Sequence, residues 1–158
     1  MTKEQELLQS TWHIALATVN EDGSPHNTPL FFIYNADLTK VYFGSRKDSL
    51  HAKNFVRTGK AYAVMFDTAQ AVPSGLYIEL DNGHEVADGE MSEAMQAHND
   101  IRAKWGKQPL PTDFYPTKYG QTMFVGDVKQ IEKYVASKDV DGMYIQEQRV
   151  MISAQELV

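Results

Sequence analysis

Short β-branched and aromatic segments, each closed by turn residues, follow one another along this chain of 158 residues. Residues 12–19 (WHIALATV) suit a buried strand, and residues 25–34 (PHNTPLFFIY) predict a second strand after the turn at 20–23 (NEDG). Asp-Gly between two apolar runs is a strong hairpin signal, because glycine tolerates a positive φ. Pro25 and Pro29 cannot donate to a sheet, so part of the second strand is expected at an edge or a bulge.

The same pattern of apolar runs and turns continues to the end of the chain and predicts five more strands. They are expected over residues 40–45, 60–67, 75–88, 122–135 and 142–152. Asn82-Gly83 predicts a bulge or a turn inside the third of these segments. Many short strands joined by hairpins favour a mainly β (α+β) fold, an antiparallel barrel or sandwich, over alternating βαβ units.

Three segments change to helical periodicity. Residues 3–10, 48–57 and 91–105 are predicted as helices, with Asp48 or Ser49 as N-cap of the second and Gly59 at its end. Residues 106–120 hold three of the six prolines and predict an irregular connection. Too little chain lies beyond this connection for a second core, so we expect one domain over residues 1–158.

Composition removes several functional classes. The absence of cysteine excludes disulfides, thiolate metal sites and cysteine nucleophiles. A net charge of −6 disfavours nucleic acid, and no segment approaches the length of a membrane span. The acidic N-terminal residues do not resemble a signal peptide, so a cytoplasmic protein is expected.

Common catalytic templates are also missing. The sequence has no phosphate-binding G-x-x-x-x-G-K-[ST], no G-x-G-x-x-G after a strand, no G-x-S-x-G and no H-E-x-x-H. Its five histidines lack the spacing of metal ligands, so no metal site is predicted. The carboxylate pairs Glu79/Asp81 and Asp139/Asp141 fall in strands and turns, where they usually face water. No catalytic residue is assigned.

One junction carries candidate chemistry. The strand over 40–45 leads through Arg46 and Lys47 into a helix that begins near Ser49. Such a junction offers unpaired backbone N–H groups and the positive end of a helix dipole, which suit a phosphate. Local composition fits equally well an ordinary capped surface helix with solvated basic residues, so both interpretations stand on these residues alone.

The order of motifs along residues 12–67 resembles the pyridoxamine 5′-phosphate oxidase-like family of split barrels that bind flavin mononucleotide (FMN). The pattern of that family is an L-A-T-v strand, a D-G-x-P hairpin, a y-F strand and S-x-[HK]-x-x-N-[LIF] at a helix start. Here these motifs are read at residues 16–19 (LATV), 22–25 (DGSP), 41–43 (VYF) and 49–55 (SLHAKNF). Residues 75–135 match only in the order of strands and helix.

The resemblance implies a six-stranded antiparallel Greek-key split β-barrel with flanking helices, in a homodimer with FMN at the interface. Residues of the second strand would contact the flavin ring: Thr28, Pro29, Leu30 and Phe31. Residues around the junction would hold the phosphate: Gly44, Ser45, Ser49 and His51, with Arg46, Lys47 and Lys53 as further candidates. Phe43, with Phe31, Phe32 and Tyr34, would supply an apolar and aromatic lining.

The chain also departs from the family pattern. The pattern of true pyridoxamine phosphate oxidases, which this chain resembles, has cationic residues at the positions held here by Thr28, Ile33 and Leu50. The substrate segment of the R-x-H-D-R type that belongs to that pattern is missing from this sequence. Oxidation of pyridoxamine phosphate is therefore not expected. The remaining hypotheses are an FMN-dependent oxidoreductase of a small molecule, such as an aromatic one, a flavin-binding or sensing protein without turnover, and a haem-binding split barrel. For Trp12 core packing is expected, whereas Trp105 is left open between the core and the pocket.

Overall fold

Antiparallel strands form most of the structure. The computed structural model describes residues 1–69, 74–117, 120–138, 141–142 and 144–158, without the side chains of 116–117, 137–138 and 144–147. The strands are β1 (His13–Val19), β2 (Pro25–Phe31), β3 (Ile33–Tyr34), β4 (Lys40–Arg46), β5 (Ala61–Phe66), β6 (Gly75–Glu85), β7 (Gln121–Lys138) and β8 (Tyr144–Ile152). The helices are α1 (Lys3–Ser10), α2 (Leu50–Thr58), α3 (Met91–Lys104), α4 (Phe114–Thr117) and a 3₁₀ turn, Ala154–Glu156. The predicted mainly β (α+β) class is confirmed.

The strand count exceeds the expected six. The segment predicted as one strand over 25–34 is divided into β2 and β3 at Phe32, which is buried and donates its backbone N–H to the Trp12 carbonyl at 2.9 Å. The strand β8, which the apolar pattern predicted over residues 142–152, pairs with the second half of β7, beyond the part of β7 that pairs with β4. Within the described residues, α4 is a short helix in a connection that was predicted to be irregular.

The sheet closes on itself except along one line. Its order is β2-β1-β5-β6-β7-β4-β3, and β8 pairs with β7 outside this path. Because β3 follows β2 directly in the chain, the two ends of the sheet meet. At the split, β2 pairs with β1 only, and β4 pairs with β3 and β7. The split between β2 and β4 is where polar side chains of both strands gather.

Strand β2 is an edge strand, as its prolines predict. Its register with β1 is unbroken from Val19↔Pro25 to His13↔Phe31. Since Pro25 and Pro29 have no N–H to give to β1, their nitrogens lie on the open edge. Exposure alternates along the strand: Pro25, Asn27 and Pro29 are exposed, and His26, Thr28 and Leu30 are half-buried.

Helix α2 is fixed by a large side chain set on two glycines. Phe55 is fully buried and packs beside Phe43, with 5.4 Å between ring centroids. A Cβ at Gly83 would lie 2.5 Å from the Phe55 ring, and one at Gly126 would lie 2.8 Å from it. Gly59 ends the helix with φ +67°. The predicted break at Asn82-Gly83 is confirmed as a register shift between Asp81 and His84.

Polar contacts also hold helix α2 against the sheet. Asn54, 2% exposed, donates through Nδ2 to Asn20 Oδ1 at 2.8 Å and reaches Thr18 Oγ1 at 3.3 Å. These contacts tie α2 to the β1–β2 hairpin, so the asparagine of the S-x-[HK]-x-x-N motif has a structural role here. No helix in the described ranges is long and apolar enough to cross a bilayer.

Candidate functional site

Three of the predicted phosphate residues lie together where β4 passes into α2. Ser45 Oγ lies 2.9 Å from Ser49 Oγ and 2.8 Å from His51 Nε2. Ser49 Oγ also donates to the Arg46 carbonyl at 2.8 Å. Each donor finds an acceptor if His51 Nε2–H donates to Ser45, Ser45 to Ser49, and Ser49 to Arg46. The N–H and O–H groups of this cluster can therefore turn to donate to a bound anion instead of to one another.

The start of α2 adds backbone donors to this cluster. Ser49 is the N-cap residue, but its hydroxyl makes no hydrogen bond to the helix because it is engaged with the Arg46 carbonyl. The first helical bond inside α2 is Lys53 N–H to the Ser49 carbonyl, at 3.0 Å. First-turn N–H groups without a side-chain cap, together with the helix dipole, favour a negative group.

A residue absent from the predicted site completes the cluster. The ring of His26, on β2, is parallel to that of His51 within 2°, with 6.5 Å between centroids. The D-G-x-P hairpin placed His26 on the strand, but only the register with β1 turns its side chain across the split towards α2. Burial, followed by the charge of His26, lowers the pKa of His51 below its usual value. His51 is thus held neutral near pH 7 in the free protein.

The basic residues of the junction are engaged elsewhere. Arg46 makes a two-point ion pair with Asp48, at 2.9 and 2.8 Å. The Lys47 ammonium lies 2.5 Å from Glu85 Oε1, on β6. Lys47 lines a surface cavity of about 740 Å³ on another side of α2, together with Lys53. The predicted Lys47 is therefore not brought together with Ser45, Ser49 and His51.

The predicted ring-contacting residues lie along the open edge of β2. Thr28 and Leu30 are half-buried on the same face of the strand as His26, and Pro29 is exposed. Phe31 packs inside its own chain, against Trp12 at 5.9 Å and His98 at 5.6 Å between ring centroids. The stretch thus presents an edge strand with an aromatic end.

Trp12 and Trp105 lie at the same end of β2. Their ring centroids are 4.0 Å apart, and both side chains are half-buried. The core packing expected for Trp12 is only partial. Trp105, which follows α3, packs on Trp12 and so belongs to this aromatic group.

The other two predicted residues, Phe43 and Gly44, face protein atoms. Phe43 is fully buried, with its ring centroid 6.0 Å from that of His51, so it supports His51 from the core. A Cβ at Gly44 would lie 2.7 Å from Tyr115 Oη, because Tyr115 of α4 packs on this glycine. The Cβ side of Gly44 is closed in this chain, and any ligand contact there would come from its backbone.

The sequence did not predict that Tyr115 covers the Cβ side of Gly44 or that His98 packs on Tyr115. Tyr115 and His98 are both buried, with ring centroids 5.7 Å apart and 3.5 Å between Tyr115 Oη and His98 Nδ1. Burial raises the pKa of Tyr115 to about 12. Helical spacing placed His98 on a face of α3, but its partner comes from the irregular segment, which carries no periodic signal. No set of three or more possible metal ligands occurs in the described part of the chain.

Comparison with solved structures gives the fold a context. A Clostridium acetobutylicum protein related to general stress protein 26, of the pyridoxine phosphate oxidase family, aligns over 99% of this chain and 95% of its own. Its TM-score is 0.65 at 12% identity. A haem-binding protein from Mycobacterium smegmatis gives 0.65 at 14% identity over 98% of this chain and 57% of its own. An F420 reductase gives 0.55 at 13% identity over 83% and 97%.

The chain has a split-barrel fold. At these identities the likeness establishes the architecture, and the function has to be argued from the site itself. No family model and no curated protein sequence matches the chain. The split-barrel neighbours include proteins named for pyridoxine phosphate oxidase, for F420 and for haem, so cofactor identity rests on the residues at the split.

Proposed function

We propose that this split barrel binds FMN at the interface of a homodimer and acts as an FMN-dependent oxidoreductase on a small molecule, such as an aromatic one. The observation that carries the proposal is the Ser45–Ser49–His51 cluster at the start of α2, beside the open edge of β2. Hydroxyl, imidazole and helix N–H donors are the groups that bind a phosphate ester. The residues present therefore fit the phosphate end of FMN.

The haem alternative has less support from the same residues. His26 and His51 face each other across a polar cluster, and Ser45 and Ser49 occupy the space beside His51. His98 is buried between Phe31 and Tyr115. Donors of this kind suit an anion better than an apolar macrocycle, so FMN is the proposed cofactor.

The ring of the cofactor would lie along β2, with Thr28, Pro29, Leu30 and Phe31 beside it. An edge strand offers backbone groups that no neighbouring strand uses, and these can recognise the polar edge of a flat heterocycle. FMN supplies the hydride and electron chemistry when bound, so the chain needs no conspicuous acid or base of its own. The role of the described residues is to orient the ring and to shield one side of it from water.

A dimer is proposed from the outer face of the sheet, defined here as the outward residues of β1, β5 and the start of β6. On β5, Ala61, Ala63 and Met65 are buried, whereas Tyr62 and Val64 are half-buried and point outwards. Phe66 is 55% exposed and Val19 47% exposed on the same side. Towards β8 the face turns polar, where Arg149 donates to Tyr62 Oη at 2.9 Å. An apolar centre with a polar rim is typical of a protein interface.

The phosphate assignment predicts a selective loss of affinity. The double substitution Ser49→Ala and His51→Ala removes two contacts to a charged group, which should cost roughly 2–5 kcal/mol of FMN binding. Riboflavin lacks the phosphate, so its affinity should change little. Fluorescence titration of both flavins against wild type and variant measures the difference.

A matched double variant away from the split controls for a general loss of structure caused by the substitutions. Ser92→Ala with His84→Ala removes the same residue types away from the split and should leave both affinities unchanged. An equal loss for FMN and riboflavin would place the phosphate elsewhere. A Soret band in the purified protein, with no flavin band, would support haem and defeat the proposal.

A further inference from the structure

Two histidines from different elements face each other at the split. His26 comes from β2 and His51 from the first turn of α2, with parallel rings and 6.5 Å between centroids. His51 is tied through Nε2 to Ser45, 2.8 Å away. Among the described residues no hydrogen bond to His51 Nδ1 is found, so this nitrogen is the one that can take up a proton.

We propose that His26 and His51 form one proton-linked binding site for the phosphate of FMN, so that phosphate binding draws a proton onto the pair. The inference rests on the proposed function and adds to it a second histidine and a dependence on pH. It makes His26 a binding residue that the site as predicted does not include.

The charge balance around the pair is the first argument. A phosphate ester carries close to two negative charges at neutral pH. On the connection into α2, Arg46 is paired with Asp48 and Lys47 with Glu85 of β6, while Lys53 of α2 lines the cavity on another side of the helix. Among the described residues, His51 beside Ser45 and Ser49 and His26 facing it are therefore the groups that can gain positive charge here.

The direction of the pH effect follows from linkage. Without ligand, burial and the neighbouring imidazole lower the pKa of His51, so His51 carries little charge near pH 7 in the free protein. An anion beside both rings favours their charged forms and raises that pKa. Binding and protonation then strengthen each other, so affinity for FMN relative to riboflavin rises as pH falls. Above about pH 7 the phosphate of FMN is already a dianion, so its own ionisation adds no pH dependence to the ratio of the two affinities.

Calorimetry of the full chain tests this directly. FMN and riboflavin are titrated at pH 7.5 in buffers of different ionisation enthalpy, which gives the number of protons taken up on binding. We expect FMN to take up a substantial fraction of one proton more than riboflavin. The ratio of the two affinities should rise from pH 8.5 to 7, by up to about tenfold per pH unit.

Variants of His26 separate this inference from the proposed function. His26→Phe keeps a flat ring beside His51, and His26→Gln is the second variant should the first fold poorly. Both should reduce the extra proton uptake and flatten the affinity ratio, whereas His84→Gln should leave both unchanged. If FMN binds with no more proton uptake than riboflavin, or if both His26 variants behave as wild type, the inference is wrong and the proposed function stands. If neither flavin binds, both are overturned.

Discussion

At the scale of single residues, His98 is the buried ionisable group with the clearest consequence. It is 5% exposed and lies between the rings of Phe31 and Tyr115. Burial, followed by the charge of Arg102, lowers its pKa from 6.5 to about 4. The imidazole is therefore neutral in the folded protein at neutral pH, and it links β2 to the α4 segment that covers β4.

The lowered pKa of His98 predicts that the folded protein loses stability in mild acid. The unfolded chain takes up a proton at a higher pH than the folded one, so the stabilisation is present above pH 6.5 and is lost as pH falls towards 4. The loss is on the order of 3 kcal/mol. Urea unfolding of wild type and His98→Gln across this range should show a flatter pH dependence for the variant. His13→Gln, at an exposed position on β1, is the control, and a variant curve parallel to wild type would contradict the prediction.

At the scale of elements, the position of α2 depends on Phe55 and the two glycines below it. Gly83 and Gly126 come from β6 and β7, and both lie against the Phe55 ring. Because Ser49 and His51 are at the start of this helix, its docking sets the geometry of the proposed phosphate site. The Asn54 contacts with the β1–β2 hairpin hold the same helix against the strand that carries His26.

A methyl group under Phe55 should disturb both stability and binding. Gly126→Ala forces the Phe55 ring to move, and overpacking of this kind costs about 1–3 kcal/mol. FMN affinity should fall as α2 shifts. Thermal unfolding and flavin titration measure the two effects, with Gly89→Ala as control because its Cβ would meet no atom within 4 Å. Equal stability of the two variants would show that α2 is not held in this way.

Local sequence pattern predicted most of the elements, but not the division of β2 from β3, the helix α4 or the contacts between elements. Apolar runs closed by turn residues predicted β1, β2 and β5, and the change of period predicted α2, because these signals lie in neighbouring residues. The pairing of His26 with His51 and the packing of Tyr115 on Gly44 join segments that are distant in sequence. Both depend on strand register and on the path of an irregular connection, so the sequence pointed to Ser45, Ser49 and His51 but not to the residues around them.

At the scale of the whole molecule, the outer face is the surface through which we expect two copies of the chain to form a dimer. Apolar side chains on the outward side of β1 and β5 leave a surface that a second copy can cover, and β2, which borders the split, pairs with β1 of this face. An FMN ring along β2 would then be shielded on its second side by the partner. Assembly and cofactor binding are expected to be coupled.

A charge in the outer face should separate the copies. Wild type should give about twice the chain mass of 17.9 kDa in light scattering. Val64→Glu should give a monomer with weakened FMN binding, since a buried carboxylate without a partner is strongly disfavoured. Val158→Glu changes an exposed terminal residue and should remain dimeric. A wild-type monomer that binds FMN tightly would exclude an interface site.

The oxidoreductase proposal predicts which electron donors act. In an anaerobic absorbance experiment, NADH or NADPH should bleach the flavin band, and a small aromatic acceptor should restore it. Pyridoxamine phosphate should leave the band unchanged, because Thr28, Ile33 and Leu50 offer no cation to a second phosphate. Bleaching by pyridoxamine phosphate would contradict the argument from these residues. No bleaching by either nicotinamide would favour a binding or sensing role.

The two prolines of β2 have a consequence for the protein in a crowded solution. A bare strand edge is a template on which other chains can add strands and grow into aggregates. Pro25 and Pro29 place ring carbons where the open edge would otherwise present N–H donors, with only Asn27 between them. An incoming strand would find its carbonyls unpaired at two of three successive positions. The edge can therefore stay open for a small molecule while it resists fibril growth.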